Sequence, residues 1–483
     1  MESIKEGNFP PIAPYYSGQK LDYHYFTDFH SAIITMLINK FTPRIFVFDN
    51  SMMAAIFAIS IYSLTYYLTE KRITSIFSAI LAVFSGSLLS FKFINDLILG
   101  GNFKEMLSNG AYVLEYGKLF QMAPMTNYFL QNRPMMVGMS VFVAVLYLLF
   151  NSLKKKDYTN LFLVLGISIL TFKFQMIISL ISFVLLLIFV ILKIKSKKLI
   201  YLTPFLAPPL LLRDQISLFL SNFDFGPWVM DKNIFWFLNF LFVNLGVPFL
   251  LLVILILLII FKKIHLSWQI NALILIFLSL VSIPFIITFT IDRADMLKFV
   301  YISYIPLSIL ASIVLSRIYL KPIGKVFVVI LIFLSIATGL IDLSGSYINK
   351  NFGYSQSDLE VGKWIRENTQ EKSIFVTYPS VHSPVSDIAG RIRVLSYTNW
   401  PYTHGYGDTL DNVFIRSDDI NMLYSEAENV ERFLSFVSKY KIDYIYYGQN
   451  ELSNFPEAKN KLESNNRIKK VYENNDTKIF KVR

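Results

Sequence analysis

The chain has 483 residues, 54% of them hydrophobic and 16% charged, with a formal charge of +11 and a mean hydropathy of +0.49. That balance excludes a soluble globule and describes a polytopic membrane protein. The absence of cysteine excludes a disulfide framework and a thiolate metal site.

The charge is placed unevenly. Residues 344–483 hold 18 Lys/Arg against 18 Asp/Glu, so the whole surplus lies in the apolar part, in short clusters between apolar runs. Such clusters are topology signals and give no support to a nucleic-acid partner.

"MESIKEGNFPPIAPYYSGQKLDYHYFTDFH" opens the chain as a polar, aromatic, Pro-rich stretch with neither a signal peptide nor a first span. "FHSAIITMLINKFTPRIFVF" is moderately apolar but is interrupted by Pro43 and Arg44, and is expected to lie along the membrane surface as a helix. Residues 1–49 therefore read as an external loop carrying a surface helix.

Ten apolar segments follow, at roughly 50–69, 73–91, 134–153, 158–171, 174–192, 199–212, 236–261, 268–290, 299–316 and 323–343. The clusters Lys71-Arg72, Lys154 to Lys156, Lys193 to Lys198, Lys262-Lys263 and Arg317 to Lys325 occupy every second connection, which predicts that those connections are cytoplasmic. The segments at 158–171 and 199–212 are short, and the second contains Pro204, Pro208 and Pro209, so both are expected to be broken helices. Alternation then places 92–133, 213–235, 291–298 and everything after about 343 outside.

After Leu343 the pattern changes. "SDLEVGKWIRENT" reads as a capped helix, "SIFVTY" and "IDYIYYG" as buried strands, and "RIKKVYENNDTKIFKV" as a hairpin. The expected fold is a polytopic α-helical membrane protein of about ten spans over 50–343, followed by an external α/β domain over 344–483. No nucleotide-binding or hydrolase motif occurs in its required context. The five histidines, His24, His30, His265, His382 and His404, are scattered, and no His-built metal site is expected.

The order "GNFPPIAPYYSGQKLDYHYFTDFHSAI", "YFLQNRPMMVG", "DRADMLKF" ahead of a late span, and an outer domain with "WIREN" and "KYKIDYIYYG" resembles the polyprenyl-phosphate-dependent glycosyltransferases of the GT-C superfamily, in an uncharacterised prokaryotic branch. The resemblance implies an integral protein of the cytoplasmic membrane with its carboxyl-terminal domain outside. It implies a polyprenyl-phosphate-sugar donor and a glycan, lipid or protein acceptor. Members of the superfamily begin with a first membrane helix and an acidic outer loop; neither precedes the Tyr-rich stretch here, so the resemblance implies a segment lost upstream of Met1, against the alternative of a natural short form.

Sugar transfer from a lipid phosphate needs a carboxylate as general base, and cations or a divalent metal to stabilise the departing phosphate. Asp96 in "FKFINDLILGG" is a candidate base, and Asp22, His24 and Asp28 in "LDYHYFTDFH" are the other local candidates; His24 and Asp28 are four residues apart and could share a helical face. Against these stands the reading of ordinary loop polar groups. Arg133, just before Pro134 at a helix start, and Arg293 and Lys298 beside Asp292 and Asp295 are candidate phosphate ligands. The alternatives are interfacial snorkelling for Arg133 and a structural ion-pair network for the others. Lys173 and Gln175 mark a short external turn, from which Lys173 could also reach a phosphate. Two other function classes fit the same sequence: a transporter or flippase of a lipid-linked precursor, and a catalytically silent membrane scaffold.

Overall fold

The computed structural model describes residues 1–21, 25–38, 42–108, 126, 133–155, 159–193, 223–226, 233–290, 293–348, 353–403 and 413–483. The expected span at 199–212 lies outside them. In chain order the helices are α1 (Glu2–Lys5), α2 (Phe26–Ile38), α3 (Thr42–Thr69), α4 (Arg72–Phe84), α5 (Leu89–Ile98), α6 (Phe103–Ser108), α7 (Arg133–Lys155), α8 (Thr159–Thr171), α9 (Met176–Lys193), α10 (Ile234–Ile260), α11 (Trp268–Ser282), α12 (Leu297–Tyr319) and α13 (Pro322–Ile348). A five-stranded sheet with short helices follows. Contacts divide the chain into two compact units, one of Phe48–Asn351 and one of Met1–Val47 with Phe352–Arg483.

In the first unit, six helices among the described residues are long and apolar enough to cross a membrane, and α4 with α5, bent by 66°, makes a seventh. The segments read at 158–171 and 174–192 are the shorter apolar helices α8 and α9. At the centre stands α12, buried from Leu297 to Ser316, with α4, α10, α11 and α13 packed around it. Its sequence explains that position. Ser303, Ser308, Ser312 and Ser316 are small enough for close helix approach, and each hydroxyl donates to the carbonyl three residues earlier, so none needs water.

Two of the helices around α12 are broken at mid-length, and the breaks meet. Gly246 in α10 has φ 59° and ψ −146°, and Pro248 lacks the N–H that would bond the Asn244 carbonyl. The buried Tyr304 hydroxyl of α12 donates to that carbonyl instead, at 2.6 Å. Between α4 and α5 the run Ser85–Leu88 is unwound. There the Gly86 N–H donates to Ser335 O at 3.0 Å and the Leu88 N–H to Val243 O at 2.8 Å. Thr338 Oγ1 accepts from the Ser90 N–H at 3.1 Å and donates to the Ser87 carbonyl. In hydrocarbon every freed backbone group needs such a partner, and here neighbouring helices supply them.

In the second unit the sheet order is β2-β1-β3-β5-β4, with β1 (Ile374–Val376) parallel to β2 (Ile392–Arg393) and β3 (Tyr444–Tyr447), and β5 (Lys478–Val482) antiparallel to β3 and to β4 (Ile468–Glu473). The capped helix forms over Gln356–Asn368 with a Ser355/Asp358 capping box, and Asn474 Oδ1 takes the Asp476 and Thr477 N–H groups at the hairpin turn. The Tyr-rich opening of the chain is strapped onto this unit. Arg393 N donates to Pro14 O at 2.9 Å, Ser17 N to Arg393 O at 3.1 Å, and the buried Tyr16 ring lies 3.7 Å from the Arg416 guanidinium.

Candidate functional site

In the membrane unit, charged groups gather where α12 begins. A short 3-10 turn, Arg293–Met296, leads into the helix, so Arg293 and Lys298 lie five residues apart at its entrance. Lys298 Nζ pairs with Asp295 Oδ1 at 2.7 Å, and its side chain is only 10% exposed. Arg293 Nη2 donates to Asp224 Oδ2 at 3.1 Å. Asp224 is held by an antiparallel bridge to Thr288, with N–H to O distances of 2.8 and 2.9 Å. Two cations and two carboxylates thus share one entrance, an arrangement that can exchange a carboxylate for another anion. Asp292 lies outside the described residues.

The other sequence candidates have surroundings of their own. Asp96 in α5 pairs with Lys92 one turn earlier. Arg133 is the first residue of α7. Gln175 is buried in the α8–α9 turn with its amide on Met135 Sδ at 3.5 Å, and Lys173 is half-buried beside it. Asp28 in α2 belongs to the other unit, with the chain's amino group 3.9 Å away, while Asp22 and His24 lie outside the described residues. No cluster of three His, Asp or Glu suited to a metal occurs among the described residues.

Two carboxylates escaped the sequence reading. Asp224 is 69 residues from its arginine, and no local pattern announces the pair. Asp342 did carry a signal: it is the one acidic residue of α13. Its side chain is 6% exposed and takes the Thr126 hydroxyl at 2.6 Å. A buried acid in a spanning helix marks a functional candidate.

The sheet unit has a polar cluster of its own at the carboxyl ends of β1, β2 and β3. Arg393 is fully buried and spends its donors on Thr377 Oγ1, Tyr378 O, Ser380 O and Ser380 Oγ at 2.7 to 3.2 Å. Beside it, Asp387 accepts from the Tyr354 hydroxyl, from Ser386 Oγ and from His382 Nδ1. Burial raises the Asp387 pKa, but those three bonds and the Arg393 charge together outweigh it and hold the carboxyl below its usual range. Glu451 moves the other way: burial lifts it, against the N–H groups of Tyr378 and Gly448.

Because the Asp387 pKa is depressed on folding, its stabilisation is present above the unfolded carboxyl value, about 3.9, and is lost as pH falls through the folded one. Hydrogen-exchange protection factors of the Thr377–Ser383 loop in the full chain should therefore fall below about pH 4. An Asp387→Asn variant should exchange faster at neutral pH and lose that acid dependence; an unchanged profile would contradict the assignment.

No protein-family model matches the chain, and no curated protein is similar to it in sequence. Among solved structures, the chain is similar to the oligosaccharyltransferase of Archaeoglobus fulgidus in its apo form, at 13% identity and a TM-score of 0.46, covering 92% of this chain and 65% of that one. It is similar also to the same archaeal enzyme, AglB, in complex with an inhibitory peptide and a dolichol-phosphate, at 13% identity and a TM-score of 0.43, covering 92% and 64%. This chain thus spans just under two thirds of the length of those proteins.

Proposed function

We propose that the chain is an integral membrane glycosyltransferase of the GT-C type. It takes a sugar from a polyprenyl-phosphate-linked donor and passes it to a glycan, lipid or protein acceptor, at the outer face of a prokaryotic cytoplasmic membrane. The observation that carries this reading is the entrance of α12, where, among the described residues, Lys298, nearly buried, pairs with Asp295 and Arg293 with Asp224. A donor phosphate arriving from the bilayer would replace those carboxylates, and charge-assisted bonds to phosphate are strong in such surroundings.

In the reaction the acceptor atom attacks the anomeric carbon, the bond from that carbon to the phosphate oxygen breaks, and its electron pair leaves with the phosphate. Arg293 and Lys298 stabilise the charge that develops there, Arg133 is a further candidate for it, and Asp96 takes the acceptor proton.

The test is sugar transfer from a labelled polyprenyl-phosphate donor by the purified chain. Lys298→Ala and Arg293→Ala should each raise the donor KM by about 10- to 100-fold, the loss expected for one charged hydrogen bond. An unchanged donor KM in both variants would sink the site.

One observation favours the second reading, a flippase of lipid-linked precursors: the α4–α5 break and the α10 break meet at mid-length, as discontinuous helices do in transporters. Dithionite quenching of a fluorescent lipid-linked sugar in vesicles separates the two. Flipping without transfer would favour transport.

A further inference from the structure

Only Leu320 and Lys321 separate the spanning helices α12 and α13, so the corner between them stays at the level of the lipid headgroups. This corner forms an open, mainly apolar groove of about 620 Å³ lined by Arg317, Lys321, Ile323 and Phe327. Gly324 makes it possible. A Cβ there would lie 1.9 Å from the Ile318 carbonyl oxygen, so no other residue allows the two helices this close.

The cations are not spent on each other's neighbours. Among the described residues no carboxylate pairs with Arg317 or Lys321, while Lys325 lies over the Tyr319 ring at 5.6 Å. Two uncompensated cations above an apolar groove, at headgroup depth, complement a molecule with an anionic head and hydrocarbon tails. The basic corner also faces the leaflet that positive clusters select, which is the anionic one.

We infer that the α12–α13 corner is a binding site for an anionic phospholipid of the bilayer, its phosphate between Arg317 and Lys321 and its acyl chains against Ile323 and Phe327. The guanidinium gives the phosphate a two-pronged contact and the ammonium a point charge. This inference does not depend on the glycosyltransferase reading, because it uses only the spans and their corner.

The experiment is native mass spectrometry of the full chain in detergent, titrated with phosphatidylglycerol and, separately, with phosphatidylcholine. One phosphatidylglycerol should bind in preference to phosphatidylcholine, and Arg317→Gln with Lys321→Gln should weaken it by about tenfold or more, as two lost cations near a lipid phosphate imply. Lys71→Gln with Arg72→Gln removes the same charge from another turn and should leave this lipid in place. Ile323→Ser with Phe327→Ser removes the apolar lining without touching charge and should also weaken binding, which keeps the proposal testable should the double charge variant unfold. Equal loss in both charge variants, or undiminished binding in Ile323→Ser with Phe327→Ser, would overturn it. So would displacement of the phosphatidylglycerol by undecaprenyl phosphate, since the corner would then belong to the donor.

Discussion

Replacing Gly246 by valine is expected to abolish the folded membrane unit, and replacing it by alanine to destabilise it strongly. At φ 59° and ψ −146° the backbone is in a region essentially reserved for glycine, and a side chain there costs about 1–3 kcal/mol in strain. A steric cost adds to this. A Cβ at Gly246 would meet the Gly86 carbonyl oxygen at 2.8 Å, and that oxygen is backbone, which cannot swing aside as a side chain would. Valine adds two methyl groups to the same collision. Gly166 is the control: it lies within α8 with nothing within 4 Å of its added Cβ, so Gly166→Ala should be neutral or stabilising by up to about 1 kcal/mol. Thermal unfolding of the detergent-solubilised protein compares them. Equal melting temperatures for Gly246→Ala and Gly166→Ala would show that the break in α10 is not needed.

The second large effect concerns catalysis. If Asp96 is the general base, Asp96→Asn should lower sugar transfer on the order of 100- to 10,000-fold while leaving donor binding in place, because the amide keeps the shape but cannot take the acceptor proton. Lys92 pairs with Asp96, so Lys92→Gln should reduce turnover less than Asp96→Asn does. Asp28→Asn and Asp342→Asn complete the comparison. Full activity in Asp96→Asn with loss in Asp342→Asn would move the role to the carboxylate buried in α13.

Much of the architecture could be read from hydropathy alone, because a bilayer demands long apolar helices and says so in plain runs of Leu, Ile, Phe and Val. The strands "IFV" and "YIYY", the capped helix after Ser355 and the Asn474 turn were legible for the same reason: each rests on neighbours in sequence. The breaks were half legible. Gly246 with Pro248 and the run Ser85-Gly86-Ser87 stand inside apolar segments, but only their mutual hydrogen bonds explain why breaking is tolerated. In the candidate site, the Asp295–Lys298 pair could be read from its spacing of three, whereas Asp224–Arg293 depends on a chain fold 69 residues long. The Tyr16–Arg416 stacking was equally hidden, since a Tyr-rich opening reads as a loop until its partner, near the far end of the chain, is in place.

The crossed bonds at the two breaks also fix an order of assembly. When α4 and α5 enter the membrane during synthesis, the acceptor for the Leu88 N–H has not yet been made, and Thr338, which serves both Ser87 and Ser90, arrives 248 residues after Ser90. Unsatisfied backbone groups in hydrocarbon each cost several kcal/mol, so an early chain cannot hold this segment unwound in contact with lipid. The segment must first exist as a straight helix, or shelter beside water or the insertion machinery. It opens into its final shape only once α13 has docked, which makes the bend one of the last features of the membrane unit to form.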